Sequence, residues 1–121
     1  MGRVMRLELK IPYPPSGNKT VRHGSGAHYL TAAAKSYHQE VWVAAHMQDA
    51  RRDLTGRLIV RYRFWTPDMR ARDLDNLMKT ANDALTRAGV WRDDSQIDVL
   101  LGIRMGVAKQ GAVTVCIWEK P

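Results

Sequence analysis

The sequence predicts an α+β fold, a small mixed β-sheet with two main helices in the order β-α-β-α-β-β. Three observations predict it. Four segments alternate or run apolar at strand length, two segments repeat their apolar residues at helical spacing, and turn residues separate them all. With 121 residues and 45% hydrophobic content, the chain reads as one domain spanning residues 1–121, with enough apolar surface for its own core.

The first strand runs from Val4 to Ile11, with Leu7, Leu9 and Ile11 on one face and Arg6, Glu8 and Lys10 on the other. The stretch Pro12-Tyr13-Pro14-Pro15-Ser16-Gly17-Asn18 ends it, because proline removes the donors a ladder needs. From there to His28, Lys19, Arg22, His23, Gly24 and Gly26 predict a basic loop. Thr31 is a candidate N-cap for a helix to about residue 49, which carries Ala33, Ala34, Tyr37, Val41, Ala44 and Ala45 at helical spacing. A second strand covers Arg57 to Trp65. Leu58, Val60, Tyr62 and Phe64 form one face, with Arg61 and Arg63 opposite, and Thr66-Pro67 stops it. Leu74, Leu77, Met78, Ala81, Leu85 and Ala88 mark the second helix, with Asp73 as cap and Gly89 as stop. Two strands, Ile97–Val107 and Ala112–Glu119, close the chain around the Lys109-Gln110-Gly111 turn.

Charge narrows the function. Nineteen Lys and Arg against twelve acids give +7 and a pI near 10, the footprint of a nucleic-acid partner or of a basic ribosomal or chaperone-like protein. Residues 1–66 hold eleven basic and four acidic residues, while residues 67–121 hold eight of each. Seven of the twelve acids fall between Asp68 and Asp98. Carboxylates repel phosphate, so a protein that only coats a polyanion has no use for such a window. One that cuts a polyanion does, since clustered carboxylates hold a divalent cation against the phosphate. The lone Cys116 argues against a disulfide framework and a cysteine-rich zinc site, and it suits a reducing cytoplasm. No run of twelve apolar residues occurs, which argues against a membrane-spanning helix and a secretory signal core.

The segment Arg70-Ala71-Arg72-Asp73-Leu74-Asp75-Asn76-Leu77-Met78-Lys79 carries the chemistry. In extended backbone, residues i and i+2 point the same way, so Asp73 and Asp75 converge if Asp73 stays outside the helix. Within the helix, Asp75 and Lys79 share a face at i, i+4, with Asn76 beside them. Two carboxylates, an amide and an ammonium on one surface are sufficient equipment for Mg²⁺ and a phosphate. Capping and the helix dipole also favour Asp at a helix start, and Asp–Lys at i, i+4 is an ordinary helix pair. The second acidic knot, Trp91-Arg92-Asp93-Asp94-Ser95-Gln96, adds weight to the metal-site reading, although its own ordinary role is a turn.

Arg72-Asp73-Leu74-Asp75-Asn76-Leu77-x-Lys79, followed by Asp83-Ala84-Leu85-Thr86-x-Ala88-Gly89-x-Trp91-x-Asp93-Asp94-x-Gln96, resembles the RusA family of Holliday junction resolvases. Pro14-Pro15-Ser16-x-Asn18 and Arg22-His23 resemble it as well. The resemblance implies a RusA-like homodimer, a Mg²⁺-dependent endonuclease (with Mn²⁺ able to substitute) of phage or prophage type, that nicks four-way DNA junctions symmetrically. It implies metal ligation by Asp73, Asp75 and Asp94, and a catalytic Lys79 that neutralises charge on the phosphate. Candidate DNA contacts are Lys19, Arg22, His23, Arg61, Arg63, Arg70, Arg72 and Asn76. Two other classes stay open: a non-catalytic structure-specific DNA-binding protein, and a metal-dependent nuclease of flap, single-strand or RNA specificity.

Reach limits how Asp94 joins the site. A helix from Asp75 to Ala88 rises roughly 20 Å, and six extended residues to Asp94 return at most about 20 Å. A near-straight return within the same chain is the expected route, with Trp91 pinning it; an early helix end or donation by a partner subunit are the alternatives. His38 and His46 are expected to pack on a helix face or at a dimer contact, since no histidine pair has zinc spacing. Trp42, Met47 and Trp65 are the candidate apolar contacts of a two-fold dimer.

Overall fold

In the computed structural model, residues 5–15, 21–24 and 27–121 are described. The elements are β1 (Met5–Ile11), β2 (Val21–Gly24), β3 (Ala27–Leu30), α1 (Ala32–Met47), β4 (Leu58–Thr66), α2 (Leu74–Arg87), β5 (Ile97–Val107) and β6 (Ala112–Glu119). Four strands form one sheet in the order β1-β6-β4-β5. β6 is antiparallel to both β1 and β4, and β4 and β5 are parallel. The fold is the expected α+β arrangement, with one addition. The segment read as a basic loop contains a small hairpin, in which β2 and β3 pair Arg22 with Tyr29 and His23 with His28. Arg22-His23 and His28-Tyr29 offered no apolar alternation against the main core, so the period test could not register a hairpin outside the main sheet.

Both crossovers, β1 to β4 through α1 and β4 to β5 through α2, step the same way across the sheet. Right-handed connections that step the same way place their helices on the same face, and α1 packs against α2 accordingly. The covered face holds Leu7, Leu9 and Ile11 of β1, Val113, Val115 and Ile117 of β6, and Leu58, Val60, Tyr62 and Phe64 of β4, all buried. Tyr37, Val41 and Ala45 of α1 and Leu77, Ala81, Ala84 and Leu85 of α2 close over them. The opposite face carries Arg6, Glu8 and Lys10, then Arg61 and Arg63, with Trp65 and Trp118 half-buried. Arg61 lies over the Trp118 ring, 5.2 Å from its centroid.

Local chemistry explains the element ends. The Thr31 hydroxyl accepts from the Ala34 amide and starts α1, as expected. Asp73, with extended backbone, caps α2, and Gly89 stops it at φ +79°, the left-handed conformation glycine adopts without strain. Tyr62, fully buried, donates its hydroxyl to the Asn82 side chain at 2.6 Å, so the one polar tip inside the layer is satisfied. α2 lies so close to β5 that a Cβ on Gly102 would stand 2.6 Å from the Met78 sulfur.

Candidate active site

The carboxylate pair sits where β4 hands over to α2. Thr66 ends β4, and its hydroxyl donates to the Asp68 carbonyl at 2.9 Å. The Asp68 carboxylate accepts from the Arg70 amide at 3.0 Å and from the Arg72 guanidinium at 2.9 Å. Arg104 of β5 donates to the Arg72 carbonyl at 2.5 Å. The residue directly before Asp73 is therefore clamped from its own loop and from a neighbouring strand. The Arg70 backbone amide, followed by Arg72 and Arg70 charge, holds the Asp68 carboxyl below the usual carboxylate range.

Asp73 remains outside α2, and one of its oxygens accepts from the Asp75 amide at 3.0 Å. Its other oxygen is 3.4 Å from the Asn76 amide nitrogen. Asp73, Asp75, Asn76 and Lys79 are all exposed, and no ion pair joins Asp75 to Lys79 among the described residues. An Asp at this N-cap does its capping with one oxygen and leaves carboxylate capacity toward solvent. The helix N-terminus, which favours negative charge, adds to that bias.

Asp94 stands elsewhere. Asp93 caps a single 3-10 turn, Asp94–Gln96, by accepting from Ser95, and the Ser95 donors draw its pKa down. The buried Gln96 side chain locks that turn. Its oxygen accepts from the Arg92 and Asp93 amides, and its nitrogen donates to the Leu54 and Gly56 carbonyls, all between 2.7 and 2.9 Å. Trp91 is fully buried and donates its indole N–H to Thr86 at 2.7 Å, the anchor expected for this loop. The anchor nevertheless holds Asp94 at the far end of the layer. Arg104 lies beside Arg72, Gly102 beside Met78, and Ile97 beside Leu58, so α2 runs antiparallel to β5. Seven strand residues from Ile97 to Arg104 span about 23 Å, which leaves Asp94 on the order of 20 Å from Asp73 by the same rise.

The near-straight return expected within one chain does not occur. Among the described residues, no three His, Cys, Asp or Glu side chains come together to hold a metal. The reason is local: the chain that leaves α2 is drawn into Leu54 through the Leu54–Trp91 bridge before it can turn back. Asp73 and Asp75 alone match the one or two protein carboxylates that Mg²⁺ takes beside substrate phosphate and water; Asp94 does not join them in this chain.

The remaining predicted residues divide. Arg70, Arg72, Asn76 and Lys79 cluster with the carboxylate pair. Arg61 and Arg63 lie on the opposite face of the sheet and are not brought to it. Lys19, Ser16 and Asn18 lie outside the described residues, and Arg22 and His23 are placed by backbone in β2. His46 stacks on Trp42 at 5.1 Å, and Arg51 lies 4.3 Å over the same ring, so both residues pack as expected. His38 is 3.9 Å from Asp83, and burial pushes its pKa down. Sequence reading missed Asp68 and Arg104, whose roles come from loop geometry and a cross-strand contact. It also missed the apolar exposure of β5. The signal for that was present, because Val99, Leu100 and Leu101 are consecutive and so face both sides of the strand.

Residues 12–117 match the family described as Endodeoxyribonuclease RusA. The chain is 38% identical over 113 residues to the Crossover junction endodeoxyribonuclease RusA of Escherichia coli strain K12, covering 92% of both proteins. The proteins of that name from Shigella sonnei and Enterobacteria phage 82 are 37% and 36% identical over the same share. The clamped Asp73-x-Asp75 junction, with Asn76 and Lys79 beside it, thus sits inside a match that runs nearly end to end, and the chain belongs to the RusA endodeoxyribonuclease family.

Proposed function

We infer that the chain is a cytoplasmic, Mg²⁺-dependent endonuclease that resolves four-way DNA junctions in recombination and repair by paired symmetric nicks. We infer further that it works as a homodimer, with Mn²⁺ able to replace Mg²⁺. The observation that carries this reading is the exposed Asp73 and Asp75 pair at a clamped loop-to-helix junction, in a family member of net charge +7. A junction has two-fold symmetry and needs two nicks, so two copies of one site suit it. The first-named crossover junction relatives support the substrate class.

Asp73 and Asp75 would hold the ion. When bound, it supplies Lewis-acid polarisation of the scissile phosphate and a more acidic water. The chain's own side chains do the positioning. Lys79, one turn along α2 from Asp75, meets negative charge as it develops on the phosphate oxygens. Asn76 offers an amide to a phosphate or to Asp73. Arg70 sets the strand backbone in register without reading sequence. Arg72 and Arg104 hold the turn so that the carboxylates keep their spacing.

The test is nicking of a synthetic four-way junction against linear duplex of the same sequence, with Mg²⁺ and with chelator. The expected result is metal-dependent, junction-selective cleavage. Binding without cleavage supports the non-catalytic class, and equal cutting of duplex, flap or RNA supports a nuclease of other specificity.

A further inference from the structure

The strand between the two acidic elements is bare. β5 is the last strand of the sheet and pairs on one side only, with β4. Val99, Leu100, Leu101, Met105 and Val107 are each between 41% and 50% exposed. By register with β4, Val99 and Leu101 face the open side of the sheet and Leu100 the helix side. Natural edge strands carry lysines, prolines or inward charges that stop other strands from pairing with them. The charged residues of β5 are Asp98 and Arg104, and neighbours hold both. Arg57 and Lys120 bind Asp98 at 2.5 and 2.8 Å, while Arg104 is spent on the Arg72 carbonyl. An unpaired ladder flanked by apolar side chains on both faces suits another strand, not a phosphate backbone.

We propose that β5 pairs antiparallel with β5 of a second copy, and that each active site combines Asp73 and Asp75 of one subunit with the partner subunit's Asp94. The inference rests on the reading that these carboxylates serve a divalent cation. Direction is the physical reason. Within one chain, Asp73 lies at the Arg104 end of β5 and Asp94 at the Ile97 end. A two-fold axis through β5 reverses one strand against the other, so the Ile97 end of one copy meets the Arg104 end of its partner. Neighbouring strands are only about 4.8 Å apart, and the roughly 20 Å separation that excludes a single-chain site is removed twice by one operation. A self-complementary interface yields two identical composite sites. A foreign strand on the same edge would leave Asp94 with no partner acids.

Two measurements test it. Asp73→Asn and Asp94→Asn chains, co-expressed with different tags and purified as the mixed dimer, contain one intact composite site and one doubly altered site. Expected are nicking of a four-way junction at about half the wild-type rate without paired cuts, and uptake of half as many Mn²⁺ ions by calorimetry. Each single-variant homodimer should stay silent. A stable mixed dimer that stays silent and takes up no more Mn²⁺ than those homodimers, beside an active wild type, overturns the proposal in favour of sites within one chain. Separately, Leu101→Lys, and Val99→Lys as a second choice at an equally exposed position, should give a folded monomer by sedimentation. Dimers unchanged by both substitutions overturn the β5 edge. A wild type that neither takes up Mn²⁺ nor cuts overturns the metal reading and the composite site, and sedimentation then judges the pairing edge alone.

Discussion

The loops at the two ends of α2 both place an aspartate as a cap, yet they are built in different ways. The loop after α2 is held from inside: Trp91 is fully buried, and the buried Gln96 makes four hydrogen bonds. The loop before α2 is held from the surface by Asp68, Arg72 and Arg104, around carboxylates that stay exposed. One loop is a structural joint that displays Asp94, and the other is a charged frame whose removal costs the fold little. The comparison teaches that an Asp cap by itself does not separate structure from chemistry; the surroundings of the cap do.

The largest expected effect sharpens that distinction on activity. Asn caps a helix as well as Asp, so Asp73→Asn should change stability by less than about 0.5 kcal/mol. Cleavage should fall about 10²- to 10³-fold, the scale of losing a group that stabilises transition-state charge. Junction binding should hold or tighten, since a repulsive charge is gone. Denaturant melts and single-turnover nicking check the two halves, and near wild-type cutting would remove Asp73 from the metal ligands. At the other loop the order reverses. Trp91→Ala should cost about 3–5 kcal/mol of stability through the cavity it leaves, read from the urea midpoint.

Smaller effects follow. Gln96→Ala strands two buried carbonyls and two amides near Leu54 and should cost about 2 kcal/mol. Trp91 would still fill its place, so the thermal midpoint should fall less than in Trp91→Ala. Arg104→Gln should leave stability within about 0.5 kcal/mol, as a surface change. Its effect should be a loss of about tenfold in kcat with KM unchanged, because it displaces the Asp73 turn. Arg104→Lys should restore part of that rate, and an equal loss in binding would recast Arg104 as a DNA contact. The smallest effect is in acid. Arg57, then Lys120, hold the Asp98 carboxyl well below its usual range. The stability it contributes is complete above the unfolded value of about 3.9 and is lost as pH falls below that toward the folded value. Asp98 is solvent-exposed, so Asp98→Asn should flatten the acid limb of the melting profile only slightly.

Much of the fold is legible in residue order, because period and punctuation are local properties. The strands Ile97–Val107 and Ala112–Glu119, the Thr31 and Asp73 caps and the Gly89 stop all follow from side chains within a few positions of one another. The same holds for half the candidate site, since Asp73, Asp75, Asn76 and Lys79 need only a helix start to share a surface. Asp94 is different. Whether it meets that group depends on the direction of the chain after Trp91, which its bridge to Leu54, 37 positions earlier, decides. The frame of Asp68 and Arg104, the placement of Arg61 and Arg63 on the far side of the sheet, and the bare edge of β5 are likewise tertiary. Each depends on strand order, and order is set by which apolar faces bury together, a sum over distant residues that no local pattern contains.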